Sequence, residues 1–465
     1  MKRDEFEKLV AEGYERQPSG TNSRIISAWM NMRYVTGSTN GTGARLWYIF
    51  GMAKLSETLR ERGYVYQHSS EKLEEISDGE KRTVYLGVDP TADSIHVGNL
   101  AAYMLLRRFS EAGHKVILIL GGGTGMIGDP KPDVERPLLD ENIIAARIDK
   151  LKSQATKLLG GIDVRVVNNG DWLNQLNLIE FLRDTGKYFT VNGLIKKDAI
   201  SARMESEEGI SFTEFSYPLL QAYDFWHLFK EYKCDVQIGG SDQWGNIVAG
   251  VDLIRRKENK PAYALTIPII TDKSTGKKFG KSEGNAVWLD AKMTSPYAFY
   301  QFWLNASDES AEDYLKLFTM LSMMEISAVM ELHARDKKGR HAQKTLAREV
   351  TKLVHGEKEA EQAELVTQAL FGEATIDALD ESAIGILKSA APTHSVAGGV
   401  SIIDVLVSAQ LATSKREARQ FVTDKAVTLN ENVVDEAKVL AKDDFHSGIA
   451  LLKRGKKQVC VLVLS

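Results

Sequence analysis

The sequence is poor in cysteine: Cys234 and Cys460 are the only two in 465 residues. They lie far apart and form no metal-ligand or disulfide spacing. That excludes a disulfide framework and a thiolate metal cluster, and it fits a reducing, cytoplasmic compartment. No run of 18 apolar residues occurs, so no membrane-spanning helix is expected. The first residues lack the apolar core of a secretory signal. Neither charge sign dominates, since 59 Lys and Arg stand against 63 Asp and Glu, a net −4. A polyanionic partner therefore needs a local basic patch rather than bulk charge. What is present, 43% hydrophobic and 26% charged residues, is the composition of a soluble globular protein too long for one domain.

The stretch Tyr85-Leu-Gly-Val-Asp-Pro-Thr-Ala-Asp-Ser-Ile-His-Val-Gly-Asn99 organises the chain. Val84–Val88 reads as a buried strand, Asp89-Pro90-Thr91 breaks it, and His96-Val-Gly-Asn99 opens an amphipathic helix over 100–109. A strand, a turn and a helix N-terminus meet there, a geometry suited to phosphate. His96 and Asn99, three apart, share one helix face.

Residues 1–51 are turn-rich and poor in core positions, so they are expected to be a flexible extension or upstream mistranslation, with the functional fold starting near Met52. From about 80 to 290, within an expected domain 52–290, short apolar strands alternate with helices. Val116–Leu120 precedes Gly121-Gly-Gly-Thr-Gly-Met-Ile-Gly-Asp129, Val164–Val167 precedes Asn168-Asn-Gly-Asp-Trp172, and Val236–Ile238 precedes Gly239-Gly-Ser-Asp-Gln-Trp-Gly-Asn246. A further strand is expected over 263–270. The alternation predicts an α/β fold with a Rossmann-like, doubly wound parallel sheet, and these strand-following turns should gather on one rim. Residues 291–372 read as helical, 373–399 as a linker ending in Gly398-Gly399, and 400–465 as a small α+β domain. That last segment carries ten Lys and Arg against eight Asp and Glu, an asymmetry that points to a polyanion.

Three further motifs carry chemistry. The turn 121–128 is no Walker A loop, because no Gly-Lys-Ser/Thr follows, but its glycines let backbone approach a ligand, and Asp129 at its end can receive an ammonium group. Tyr217, Gln221 and Asp224 fall on one helix face among apolar neighbours, where converging polar groups are costly without a polar ligand or each other. Lys278-Phe-Gly-Lys281-Ser282 can neutralise a polyphosphate.

Together these residues resemble a family. His96-Val-Gly-Asn99 is similar to the HIGH signature, and Lys278-Phe-Gly-Lys-Ser282 to the KMSKS signature, of class I aminoacyl-tRNA synthetases. The stretches at 87–96, 209–217 and 237–246 look like bacterial-type tyrosyl-tRNA synthetases. The resemblance covers about 52–465. It implies activation of L-tyrosine by ATP to tyrosyl-adenylate, then transfer to the 3′ end of tRNA(Tyr), by positioning and electrostatics rather than a protein nucleophile. It implies Mg²⁺ arriving with ATP, no tightly bound cofactor, no resident metal and a homodimer, with the apolar stretch 176–195 as interface. Residue by residue, Tyr85 and Asp224 would bond the phenol. Asp129, Tyr217 and Gln221 would hold the ammonium, with Gln243 near the carboxylate. Gly87, Asp89, Gly240 and Asp242 would line the nucleotide, Thr91, His96 and Asn99 would meet phosphate or adenine, and Lys278, Lys281 and Ser282 would clamp pyrophosphate. The helical 291–372 would read the anticodon side of the tRNA. The tail 400–465 resembles a small RNA-binding fold, in which Lys415, Arg416 and Arg419 would contact RNA.

Three rivals remain at this point, the third a nucleotidyltransferase of another pathway built on the same His-x-Gly-Asn turn, which would lack the 209–246 motifs. A tryptophanyl-tRNA synthetase would share the chemistry, but Gln221 and the attached tail argue against it. A non-catalytic RNA-binding paralogue would not need His96, Lys278, Lys281 and a complete tyrosine pocket.

Overall fold

The computed structural model describes residues 54–131, 138–205, 209–276, 281–282, 285–371, 374–455 and 458–465. The expected extension 1–51 lies outside the described residues. The chain divides into two compact units. One runs to Asp290 and takes in Ser307–Gln343; the other joins Ala291–Ala306 to Lys344–Ser465.

The first unit is built on six strands: β1 (Gln67–His68), β2 (Thr83–Val88), β3 (Lys115–Leu120), β4 (Val164–Asn168), β5 (Cys234–Gly240) and β6 (Tyr263–Ile267). Their order is β1-β6-β5-β2-β3-β4. Strands β2 to β6 run parallel, and β1 pairs antiparallel with β6. The parallel arrangement follows from the apolar runs. Strand β3 is buried from Val116 to Leu120, as a strand covered on both faces requires. The covering helices include α1 (Val97–Glu111), α2 (Glu141–Leu158), α3 (Phe212–Tyr232) and α4 (Trp244–Glu258). From β2 the chain winds one way to β3 and β4, then returns to lay β5 and β6 on the other side of β2. The winding reverses between β2 and β5, which opens a crevice at their C-terminal ends.

Two boundaries differ from expectation. Helix α1 starts at Val97, because His96 caps it: the imidazole accepts from the Gly98 N–H. Strand β6 stops at Ile267 rather than at residue 270, because Pro268 has no N–H to offer the ladder.

Beyond residue 290 come α5 (Pro296–Leu304), α6 (Asp308–Phe318), α7 (Met323–Arg335), α8 (His341–His355) and α9 (Glu357–Phe371). The segment expected as one helical domain is split. Helices α6 and α7 belong to the first unit, where Arg62 and Arg108 donate to carbonyls at and just past the end of α6, those of Lys316, Thr319 and Leu321. Helices α5 and α9 belong to the second.

The expected linker 373–399 holds α10 (Glu381–Ala390) and β7 (Thr393–Val396). Ile376, Leu379, Ala383, Ile384 and Leu387 pack into one apolar cluster with Ile449, Leu451 and Val461. Positions 383, 384 and 387 are a helical stripe, which the neighbouring glycines and serines obscure. The unit continues with α11 (Ile402–Ser408), α12 (Lys415–Thr423), β8 (Val427–Leu429), β9 (Asn432–Val433), β10 (Ile449–Arg454) and β11 (Gln458–Leu464). The sheet order is β9-β8-β10-β11-β7, with β7 parallel to β11.

Candidate active site

A cavity of about 360 Å³ opens at the crevice of the first unit, between the turn after β2 and the turn after β5. Thirteen of the sequence-predicted residues line it. Tyr85, Gly87, Asp89, Thr91, His96 and Asn99 come from β2 and the turn leading into α1. Asp129 comes from the end of the glycine turn, and Tyr217, Gln221 and Asp224 from α3. Gly240, Asp242 and Gln243 come from the turn after β5. Spacings of four and three along α3 put its three polar side chains on one face, as expected.

At the buried end stands Asp224. One carboxylate oxygen accepts from Asn169 Nδ2 at 2.8 Å, and the other from Trp172 Nε1 at 2.7 Å. Burial pushes this carboxyl up to about 7, while both donors pull it the other way. The Tyr85 hydroxyl is buried and has no hydrogen-bond partner among the described residues. Its ring meets Phe225 edge-on at 5.2 Å. Burial, aided by the Asp224 charge, raises the Tyr85 phenol well above its usual range, so it remains a neutral donor.

Farther out, Asp89 accepts from Thr124 Oγ1 at 2.7 Å and from the Tyr217 hydroxyl at 2.8 Å. Asn169 ties this level to the one below. It also donates to Thr124 Oγ1 and accepts from the Gly123 N–H, both at 2.8 Å. Glycine is required at 121, because a β-carbon there would collide with the Asp89 carboxylate. On the other wall Asp129 accepts from Gln243 Nε2 at 2.8 Å and Asn246 Nδ2 at 2.9 Å. Half-buried Lys197 donates to the Gly245 carbonyl. Burial pulls its ammonium down to about 8, and the Asp129 charge works against that. The Gln221 carbonyl oxygen is buried with no partner among the described residues.

At the mouth, the Gly98 N–H occupies His96 Nδ1 at 3.1 Å, so the neutral ring carries its proton on Nε2. Trp288 approaches His96 edge-on at 6.0 Å, and Val97 N–H bonds the Val287 carbonyl at 2.9 Å. Lys278 and the side chains of Lys281 and Ser282 lie outside the described residues. The backbone of Lys281–Ser282 pairs with Asn285–Ala286. The strand that leaves this ladder therefore runs beside the first turn of α1, next to His96.

In the second unit Lys415, Arg416 and Arg419 are exposed on α12. Lys415 pairs with Asp404 at 2.6 Å and Arg419 with Glu436 at 2.8 Å. Among the described residues no group of three or more His, Cys, Asp or Glu side chains is arranged to hold a metal ion.

Sequence reasoning missed Thr124, Asn169, Trp172 and Asn246 as members of the site. The signal was present in part: Asn169 and Trp172 stand in a turn that follows a parallel strand, and such turns gather on the ligand-binding rim.

The family described as "tRNA synthetases class I (W and Y)" matches residues 77–372, and the "Tyrosine--tRNA ligase SYY-like C-terminal domain" matches 384–462. A tyrosine–tRNA ligase from Leuconostoc citreum is 47% identical over 409 residues, which are 86% of this chain and 97% of that protein. One from Roseiflexus castenholzii is 45% identical over 420 residues, 87% of this chain and 98% of its own. A C-terminally truncated mitochondrial tyrosyl-tRNA synthetase from Aspergillus nidulans, known as a crystal structure, matches with a TM-score of 0.64. It is 33% identical, over 70% of this chain and 97% of that one.

Proposed function

The chain belongs to the tRNA synthetases class I (W and Y), and from that premise we propose how its own residues divide the work. The reaction is tyrosine–tRNA ligation. A tyrosine carboxylate oxygen attacks the α-phosphorus of ATP, and the bond to pyrophosphate breaks. A ribose hydroxyl at the tRNA 3′ end then attacks the tyrosyl carbonyl, and AMP leaves.

The observation that carries the residue assignment is the placement of the buried Asp224 carboxylate and the unpartnered Tyr85 hydroxyl in the lining of one cavity. Asp224 accepts the substrate's phenolic O–H, having room for a further bond beside those from Asn169 and Trp172. Tyr85 donates its otherwise unpartnered hydroxyl to the phenolic oxygen. Phenylalanine would leave both groups buried and unpaired, at 1–3 kcal/mol each in order of magnitude. Tyrosine's ammonium sits among Asp129, Gln221 and the Tyr217 oxygen, whose proton is already given to Asp89. Gln243, held against Asp129, borders the tyrosine carboxylate.

ATP lies across Gly87, Asp89, Gly240 and Asp242, with its phosphates toward Thr91, His96, Asn99 and the N-terminus of α1. Lys278, Lys281 and Ser282 clamp pyrophosphate as it departs, and Mg²⁺ enters as part of the ATP substrate. Catalysis is placement plus charge neutralisation at the pentacoordinate phosphate.

The helices of 291–372 face the tRNA, and Lys415, Arg416 and Arg419 take its phosphates. The protein acts as a cytoplasmic homodimer. Leu178, Ile179 and Val191, exposed at 67%, 69% and 61%, support an interface on the 176–195 segment. Free thiols at Cys234 and Cys460, and the absence of any described helix long and apolar enough to cross a membrane, fit the cytoplasm.

Amino-acid-dependent exchange of labelled pyrophosphate into ATP tests the assignment. Wild type exchanges with tyrosine and not with tryptophan or phenylalanine, and Asp224→Ala abolishes the preference for tyrosine over phenylalanine. Retention of that preference in Asp224→Ala would sink the phenol assignment.

A further inference from the structure

Helix α3 takes hold of Trp172 twice. Asp224 accepts the indole Nε1–H at 2.7 Å. One turn along the same helix, His227 lies on the indole face, with ring centroids 4.3 Å apart and planes 17° from parallel. Tyr223, four residues before His227, lies near-parallel to the imidazole, with centroids 6.5 Å apart and planes 23° from parallel. Trp172 itself sits on the short helix Gly170–Leu173, just after β4. Its ring also packs against the apolar cluster that includes Ile117, Ile119 and Phe225, and of its contacts the hydrogen bond and the stack are the two that depend on the angle of the indole.

The consequence falls on Asp224. The indole N–H donates to a carboxyl oxygen, a bond that is stronger when the carboxyl is ionised and sharply dependent on angle. An indole free to rock about its χ angles would lose that alignment and let water reach the carboxylate. The stacked His227 removes this freedom. His227 lines a second cavity together with Trp172, Tyr223 and Tyr232. It does not line the tyrosine cavity, so it acts on substrate without touching it, and the indole is the contact it shares with Asp224.

We propose that His227 is a positioning residue for tyrosine selection: by stacking on Trp172 it holds the indole N–H on Asp224, and through it the acceptor that distinguishes tyrosine from phenylalanine. This rests on the assignment of Asp224 to the substrate phenol.

The test compares His227→Ala, His227→Phe and Asp224→Ala in the full-length protein. Pyrophosphate exchange gives KM for tyrosine and for ATP and the tyrosine-over-phenylalanine ratio of kcat/KM, and thermal unfolding checks the fold. In His227→Ala, tyrosine KM rises about tenfold, as partial loss of a charge-assisted bond implies. The preference over phenylalanine falls by a similar factor, while ATP KM and the kcat at saturating tyrosine stay within twofold. His227→Phe, whose ring can stack, restores both. If His227→Ala raises the two KM values together or leaves the tyrosine preference intact, the proposal is overturned. Failure of His227→Phe to rescue also overturns it. Asp224→Ala separates the two levels. Lost preference there with an intact one in His227→Ala removes only the role of His227. An intact preference in both removes the phenol assignment beneath it.

Discussion

The Tyr217 hydroxyl donates to Asp89 across 2.8 Å, and so fastens the N-terminal part of α3 to the turn that follows β2. Both residues are polar and line one cavity. Each satisfies the other before any ligand arrives, so the cavity is preorganised. Burial and the neighbouring Asp89 and Asp129 charges raise the Tyr217 phenol well above its usual range, so it keeps its proton and its oxygen is left to accept. In Tyr217→Phe this oxygen is gone and Asp89 loses a donor. Tyrosine KM should rise about tenfold or more, measured by pyrophosphate exchange. An unchanged KM would remove Tyr217 from the ammonium site.

Asp224 makes stability depend on pH. Its folded carboxyl sits at about 7, above the ordinary 3.8. Between these values the folded state holds a proton that the unfolded state has released. Stability from this group therefore falls as pH rises from about 4 to about 7, and is flat beyond. The full difference is roughly 4 kcal/mol. Ligand-free wild type and Asp224→Asn, unfolded in urea from pH 4.5 to 8.5, should diverge progressively in favour of the variant up to pH 7 and then run parallel. A gap independent of pH would contradict the raised carboxyl.

The exposed apolar face of 176–195 predicts an assembly. Leu178→Glu with Ile179→Glu places two charges where a partner subunit would bury them. Sedimentation should shift from dimer to monomer, with helix content retained. A dimer that survives both substitutions locates the interface elsewhere.

The basic helix α12 predicts a salt signature. Lys415→Ala with Arg416→Ala should weaken tRNA binding severalfold. The slope of log affinity against log salt should flatten by about one to two units. Tyrosine-dependent exchange, which involves no tRNA, should not change. Equal salt slopes in wild type and variant would take the RNA contact away from these residues.

The site was legible in the sequence to the extent that its residues lie in short stretches with their own local logic. Tyr85 to Asn99 is one strand, one turn and one helix start. Tyr217, Gln221 and Asp224 need only the helical period. Partners brought in from a distance were not legible. Asn169 and Trp172 reach Asp224 from 55 and 52 positions away, and no local pattern says that two turns after parallel strands will face the same helix. The 373–399 segment misled for a different reason. Its glycines and serines read as a linker, while Ile384 and Leu387 become core only because Ile449, Leu451 and Val461 arrive much later in the chain. The same applies to the helices beyond residue 290: periodicity predicts that they form, but not which core each one joins.

The strand order of the second sheet carries a consequence for biosynthesis. Gln458–Leu464 lies between Ile449–Arg454 and Thr393–Val396. It is synthesised last of the five strands, yet Thr393–Val396 pairs with no other strand of the sheet, while Ile449–Arg454 pairs both with Gln458–Leu464 and with Val427–Leu429. During translation Thr393–Val396 waits with an open edge while the intervening residues are made, whereas the catalytic sheet has all its strands by Ile267. A ribosome that stops near residue 455 would release a chain whose first sheet can assemble but whose second sheet cannot close. Such a product would keep every strand around the candidate site while Thr393–Val396 stays without its one partner, so the closed second sheet reports that synthesis ran through Gln458–Leu464.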